Sequence, residues 1–155
     1  TNLALISGFS LAVDVATSES LIGPNIELNA VIISSTNRYP KEIGPQIISR
    51  IRERLRTGIP RVQLLALKLT DELVRNCGLD VQSLIASEEF MNDMEFLISF
   101  PQKETDREVN FKCLTLIQAW GVAFKDYRSV LPIFPDIYES LKMRGVKFPK
   151  YNTTL

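Results

Sequence analysis

The chain has 155 residues, the length of one ordinary domain. Hydrophobic residues make up 45% and charged residues 23%, with only 7 Gly and 8 Pro, which excludes a disordered or low-complexity chain. Eighteen bases cancel eighteen acids, so no net field draws the chain to nucleic acid or to a membrane surface.

Histidine is absent, which removes the commonest general base and the commonest metal ligand. Cys77 and Cys113 are too few for a disulfide framework or for a zinc site of their own. Their flanks suit buried thiols in a reducing compartment. No phosphate-binding glycine loop, dinucleotide fingerprint or GxSxG elbow occurs. The acids Glu88, Glu89, Asp93 and Glu95 follow one another along one short helix and point in different directions, as a solvated face does. No catalytic residue and no cofactor are therefore expected. No apolar run reaches the roughly 20 residues of a membrane span. Thr1–Ile6 is apolar but lacks the basic flank and cleavage pattern of a signal peptide. A start at Thr rather than Met leads us to expect an excised fragment of a longer protein.

The neutral total conceals bands. Residues 38–75 carry nine bases against four acids, and residues 76–110 carry eight acids against two bases. Neighbouring helices with faces of opposite sign account for this pattern.

Taken in chain order, the pattern is helical throughout, cut by Gly and Pro. A first helix is predicted over about Phe9 to Ala16, with Leu11 and Val15 on its buried face. A second runs from about Asn25 to Ser34, started by Pro24, with Leu28, Val31 and Ile32 inward. Gly44-Pro45 is read as the opening of a third helix to Arg56, with Ile47, Ile48, Ile51 and Leu55 as its stripe. A fourth, Pro60 to Cys77, is apolar on most sides and keeps only a narrow strip of Arg61, Lys68, Asp71, Glu72 and Arg75. Such a helix is packed on several sides, so it is central. Gly78 is expected to close it in a left-handed turn.

A short fifth helix covers about Val81 to Ala86. Ser87 caps a sixth, Glu88 to Phe100, with Phe90, Met94, Leu97 and Ile98 inward. Thr105 and Glu108 form a capping box for a seventh, Asp106 to Lys125, which buries Val109, Cys113, Leu116, Ile117 and Trp120. The eighth runs from about Phe134 or Pro135 to Arg144, burying Ile137 and Leu141 and ending at Gly145. The tail after Val146 is expected to leave the domain. Eight helices with short turns pack as antiparallel neighbours, an all-α fold.

The run Pro60-Arg61-Val62-Gln63-Leu64-Leu65-Ala66-Leu67-Lys68-Leu69, continued by Val74-Arg75-Asn76-Cys77-Gly78, resembles the signature helix of VHS domains, found in endosomal sorting proteins such as Hrs, STAM and the GGA adaptors. Other segments resemble the family in the right order. They are Ala16–Leu21, Asn29, Arg52–Leu55, Phe90–Asp93, Gln118–Trp120 and Leu141–Pro149. The stretch Asn37 to Gly44 looks longer than the family's usual turn there. The resemblance implies a right-handed superhelix of eight helices, the ENTH/VHS-like fold, over residues 1–149, with 150–155 as an exit segment.

It further implies a non-catalytic module of a cytoplasmic sorting protein, peripheral on endosomal or Golgi membranes. That module would recognise ubiquitin or ubiquitinated cargo weakly, beside other sorting-complex proteins, with membrane contact through its parent and no nucleic acid. The family's ubiquitin-binding Trp and its apolar companion four residues on correspond to Ile26 and Ala30, so a small apolar patch remains. Glu27 and Lys68 are expected to flank it. A weak phosphoinositide site at Arg50 and Arg54, as in ENTH and ANTH modules, and a domain that reads the C-terminal tail of RNA polymerase II are the alternatives. The acids of the sixth helix argue against the acidic di-leucine signals that the GGA branch binds.

Overall fold

The computed structural model describes residues 3–99 and 106–151, with side chains over 8–98 and 106–151. Among these residues there are eight helices and no strand: α1 (Leu3–Ala16), α2 (Ile26–Arg38), α3 (Pro40–Leu55), α4 (Pro60–Asn76), α5 (Leu79–Ile85), α6 (Glu88–Ser99), α7 (Asp106–Ala123) and α8 (Ile133–Met143). The chain divides after Ile85 into two compact units.

In the first unit α3 packs against α1, α2, α4 and α5, and α4 also packs against α2 and α5. Helix α4 has eleven covered positions out of seventeen, among them Gln63, Thr70 and Asp71. The polar ones are satisfied locally. Gln63 Nε2 donates to the Leu55 carbonyl at 2.9 Å, and the Thr70 hydroxyl donates to the Ala66 carbonyl at 2.7 Å. Asp71 pairs with Arg75 one turn on, at 3.0 Å.

Three expectations fail in this unit. Gly44-Pro45 does not open α3. The helix starts at Pro40, only Tyr39 separates it from α2, and Pro45 lies inside it. The long turn read over Asn37 to Gly44 is thus helical. Pro45 lacks one backbone donor, and packing outweighs the loss. Gly44 is buried against α5, where a Cβ would stand 3.3 Å from Leu84 Cδ1. Gly78 does not cap α4 in a left-handed turn, since among the described residues only Gly58 and Gly145 have positive φ. Its carbonyl instead accepts from Val81 and Gln82 and starts α5.

The buried face of α1 is also displaced. Leu11 and Val15 are 60% and 54% exposed, while Val13 and Ala16 are buried. A helix apolar around most of its circumference leaves the choice of face to its neighbours, here α2 and α3.

In the second unit α7 packs against both α6 and α8. Val109, Cys113, Leu116, Ile117 and Trp120 are all buried, as predicted. The Trp120 ring stands 5.2 Å from that of Phe134. Ser87 Oγ accepts from the Phe90 amide at 3.2 Å, which confirms the cap of α6. Leu97, Ile98 and Ile137 are only half-buried. Thr105, the expected cap of α7, lies outside the described residues.

Gly145, at φ 87°, ends α8, and the Val146 amide donates back to the Leu141 carbonyl at 3.0 Å. As far as Pro149 the tail then folds back instead of leaving, and residues 152–155 lie outside the described residues. Gln118 Nε2 donates to the Pro149 carbonyl at 3.0 Å, and the Phe148 ring meets Tyr138 edge-on at 4.9 Å.

Gly121 on α7 faces Tyr138 on α8 so closely that a Cβ there would lie 2.6 Å from Tyr138 Cβ. The obstacle is the root of a side chain, so the helices themselves would have to part. Gly121→Ala is expected to destabilise the protein by about 1–3 kcal/mol, read as a lower midpoint in urea unfolding. An unchanged midpoint would show that α7 and α8 can separate freely.

Candidate functional site

Helix α2 begins at Asn25, whose Oδ1 accepts from the Leu28 amide at 3.1 Å. Its buried residues are Asn29, Ile32 and Thr36. The Thr36 hydroxyl donates to the Ile32 carbonyl at 2.7 Å, so it needs no partner across the interface. Its neighbouring face is the reverse of a normal surface. Ile26 is 79% exposed, Ala30 is exposed and Ile33 is half-buried, and the spacing i, i+4, i+7 puts the three in one row. Val31, expected inward, is exposed, and Leu28 is half-buried. With polar Asn29 and Thr36 on the inward face, hydrophobicity alone misassigns the sides of this helix.

Glu27 is exposed in the first turn of α2, where a negative charge suits the helix dipole. Lys68 is half-buried on the polar strip of α4, which packs against α2. Asn37 Nδ2 donates to the Asn76 carbonyl at 2.7 Å and ties the end of α2 to the end of α4.

Arg50 and Arg54 occupy a different place. The Arg50 guanidinium holds the Asp14 carboxylate on α1 with two nitrogens, Nε at 2.8 Å and a terminal one at 2.5 Å, and reaches Glu53 at 2.9 Å. Arg54 Nε donates to Thr17 Oγ1 at 2.9 Å and lies 3.9 Å from Asp14. Both guanidinium groups thus fasten α3 to the end of α1. The hydrogen bond from Arg50 holds the Asp14 carboxyl below its ordinary range, against the opposing effect of burial.

Helices α6 and α8 enclose a groove lined by Glu88, Met91, Glu95, Asp136 and Ile137. The nearby cations are engaged. Arg144 holds Glu95 at 2.6 Å, and Arg128 holds Asp136. An acidic peptide entering here would meet Glu88 and compete with two carboxylates for those arginines. Burial raises the pKa of Cys77 and of Cys113, so neither thiol is poised as a nucleophile.

A family model described as VHS domain matches residues 5–145. The chain is 36% identical to TOM1-like protein 1 of Arabidopsis thaliana over 88% of its own length and 32% of that protein's. It is 35% identical to vacuolar protein sorting-associated protein 27 of Neurospora crassa, over 88% of its own length and 18% of the relative's. The chain therefore spans under a third of these relatives. Among solved structures, the VHS and FYVE tandem domains of Hrs, a protein involved in membrane trafficking and signal transduction, superpose with a TM-score of 0.81 at 24% identity. That match covers 95% of this chain and 65% of the other. The likeness shows the fold, an all-α superhelix.

Two outcomes follow from this geometry. Asp14→Asn is expected to cost about 1 kcal/mol at pH 7, a modest figure because solvent screens a pair this exposed. A carboxyl whose folded pKa is depressed contributes stability above its unfolded pKa of about 3.9 and loses it as the pH falls through the lower folded value. The gap between wild type and Asp14→Asn in urea unfolding is thus expected to close on going from pH 7 to below pH 3. A gap that persists in acid would assign the effect to something other than charge. An acidic di-leucine peptide is expected to give no binding heat in calorimetry, and micromolar binding would contradict the account of the α6–α8 groove.

Proposed function

The chain belongs to the VHS domain family, and on that premise we propose that it is a non-catalytic interaction module of an endosomal or vesicular sorting protein that weakly recognises ubiquitin or ubiquitinated cargo. The observation that carries this reading is the outer row of α2, where Ile26 and Ala30 face solvent while Asn29 and Thr36 are buried. An exposed apolar row beside a buried polar one gains free energy when covered by a partner. Ubiquitin presents an apolar surface ringed by basic residues, and Glu27 beside Ile26 complements it in kind. Lys68, half-buried on α4, is assigned to the rim of the patch because α4 packs against α2. The absence of His and the buried thiols, whose pKa burial raises, leave no Ser–His or Cys–His pair, which supports a binding role over a catalytic one.

The affinity is weak because the anchor is small. An Ile in place of a Trp gives up much of the roughly 150–250 Å² that an aromatic side chain can bury. Useful avidity then comes from several modules acting together in the parent, with other sorting-complex proteins, at the cytoplasmic face of endosomal or Golgi membranes. The phosphoinositide alternative would require Arg50 and Arg54 to leave Asp14 and Thr17, and no observation favours the reading of a polymerase tail.

NMR titration of the labelled chain with ubiquitin tests the proposal. Shifts are expected along α2 and the polar strip of α4. Ile26→Trp is expected to tighten binding about tenfold, the equivalent of roughly 1.4 kcal/mol, and Ile26→Asp to abolish it. Shifts confined to α6 and α8, or an Ile26→Asp variant that binds like wild type, would exclude this site.

A further inference from the structure

Ile22 is 94% exposed, more than any other large apolar side chain described in the first unit, Ile26 on α2 included. It lies in the segment between α1 and α2, yet its backbone is held. A terminal nitrogen of Arg61, at the start of α4, donates to the carbonyl oxygens of both Leu21 at 3.1 Å and Ile22 at 2.5 Å. The Leu21 amide donates to the Ser18 carbonyl at 3.1 Å, and Ser18 and Ser20 are joined through their hydroxyls. Three residues farther on, Asn25 caps α2. Ile22 therefore projects from a segment pinned at both ends. Four residues of chain reach at most about 14 Å, so Ile22 and Ile26 fall within one partner's footprint.

The charges point to the same occupant. Residues 1–37 contain three acids and no base. Asp14 is bound to Arg50, while Glu19 and Glu27 are exposed and bracket Ile22 and Ile26 in the chain. In the chain the apolar pair thus lies between two exposed carboxylates, and Arg61 lends its donors to the two carbonyls.

Resting on the ubiquitin reading above, we propose that Ile22 is a second apolar anchor of that contact, which offsets the small side chain at Ile26, and that Arg61 is the positioning residue that presents it. A side chain whose backbone is held before binding brings a smaller ordering cost to the contact, which is how a modest anchor becomes effective.

The test is a ubiquitin titration by NMR of wild type, Ile22→Ala, Arg61→Gln and Ile26→Asp, with backbone relaxation recorded on each free protein. Ile22→Ala is expected to weaken binding about fivefold with core resonances unmoved. Arg61→Gln is expected to weaken it about threefold and to raise the mobility of the amides of residues 21–23, a readout that general loss of stability does not produce selectively. If Ile26→Asp abolishes binding while Ile22→Ala binds like wild type, the second anchor is overturned and the ubiquitin reading stands. If wild type shows no shifts at millimolar ubiquitin, both fall. If Arg61→Gln leaves residues 21–23 rigid, the positioning role is overturned.

Discussion

A helix that is apolar around most of its girth cannot face water, and α4 imposes that constraint on everything near it. Its covered residues run over consecutive positions from Val62 to Leu67, more than one helical face can hold. Helices α2, α3 and α5 all pack against it. What α4 leaves to solvent is the strip of Arg61, Lys68, Glu72 and Arg75, and each end of that strip has work in the fold. Arg61 gathers the carbonyls before α2, and Arg75 balances the largely covered Asp71. The exposed row on α2 exists because α2 turns Asn29, Ile32 and Thr36 inward. The candidate site is thus a by-product of how the first unit closes around its most apolar helix.

Charge performs a second, more local task. The basic band of residues 38–75 looked in the sequence like a surface awaiting an anionic partner or an acidic neighbour. In the fold, Arg50 and Arg54 are matched to Asp14 and Thr17 on and just beyond α1, and Arg61 is matched to backbone oxygens. Three cations that count as surface charge by composition are thereby joints between segments about forty residues apart in the chain. The same holds in the second unit, where Arg144 reaches back to Glu95.

Most of the helices were legible because caps and periodicity agree. Ser87 before α6, Pro60 before α4 and Gly145 after α8 all act as their chemistry requires. The errors share one cause. Gly44-Pro45 is a strong local break, yet contact with α5 carries the helix through it. Leu11 and Val15 form a valid stripe on α1, but a second stripe through Val13 and Ala16 wins the core. Val31 lost its inward place to Asn29 and Thr36, of which Thr36 bonds within its own helix while Asn29 Oδ1 is buried without a hydrogen-bond partner. Ile26 and Ala30, with Glu27 beside them, could be named through the family resemblance, and the i, i+4 spacing then put the first two on one face. Ile22 could not, because its prominence depends on Arg61, forty residues away and silent in any local pattern.

The two cysteines carry a consequence of a different kind. Both are free and buried, and burial holds both thiols protonated. Oxidants and thiol-transfer partners act on an accessible thiolate. Neither cysteine therefore offers an oxidant a ready target, and conditions that disable proteins through exposed thiolates spare these two. The same feature makes the protein its own blank for labelling, since a cysteine introduced on the surface would be the one a maleimide finds.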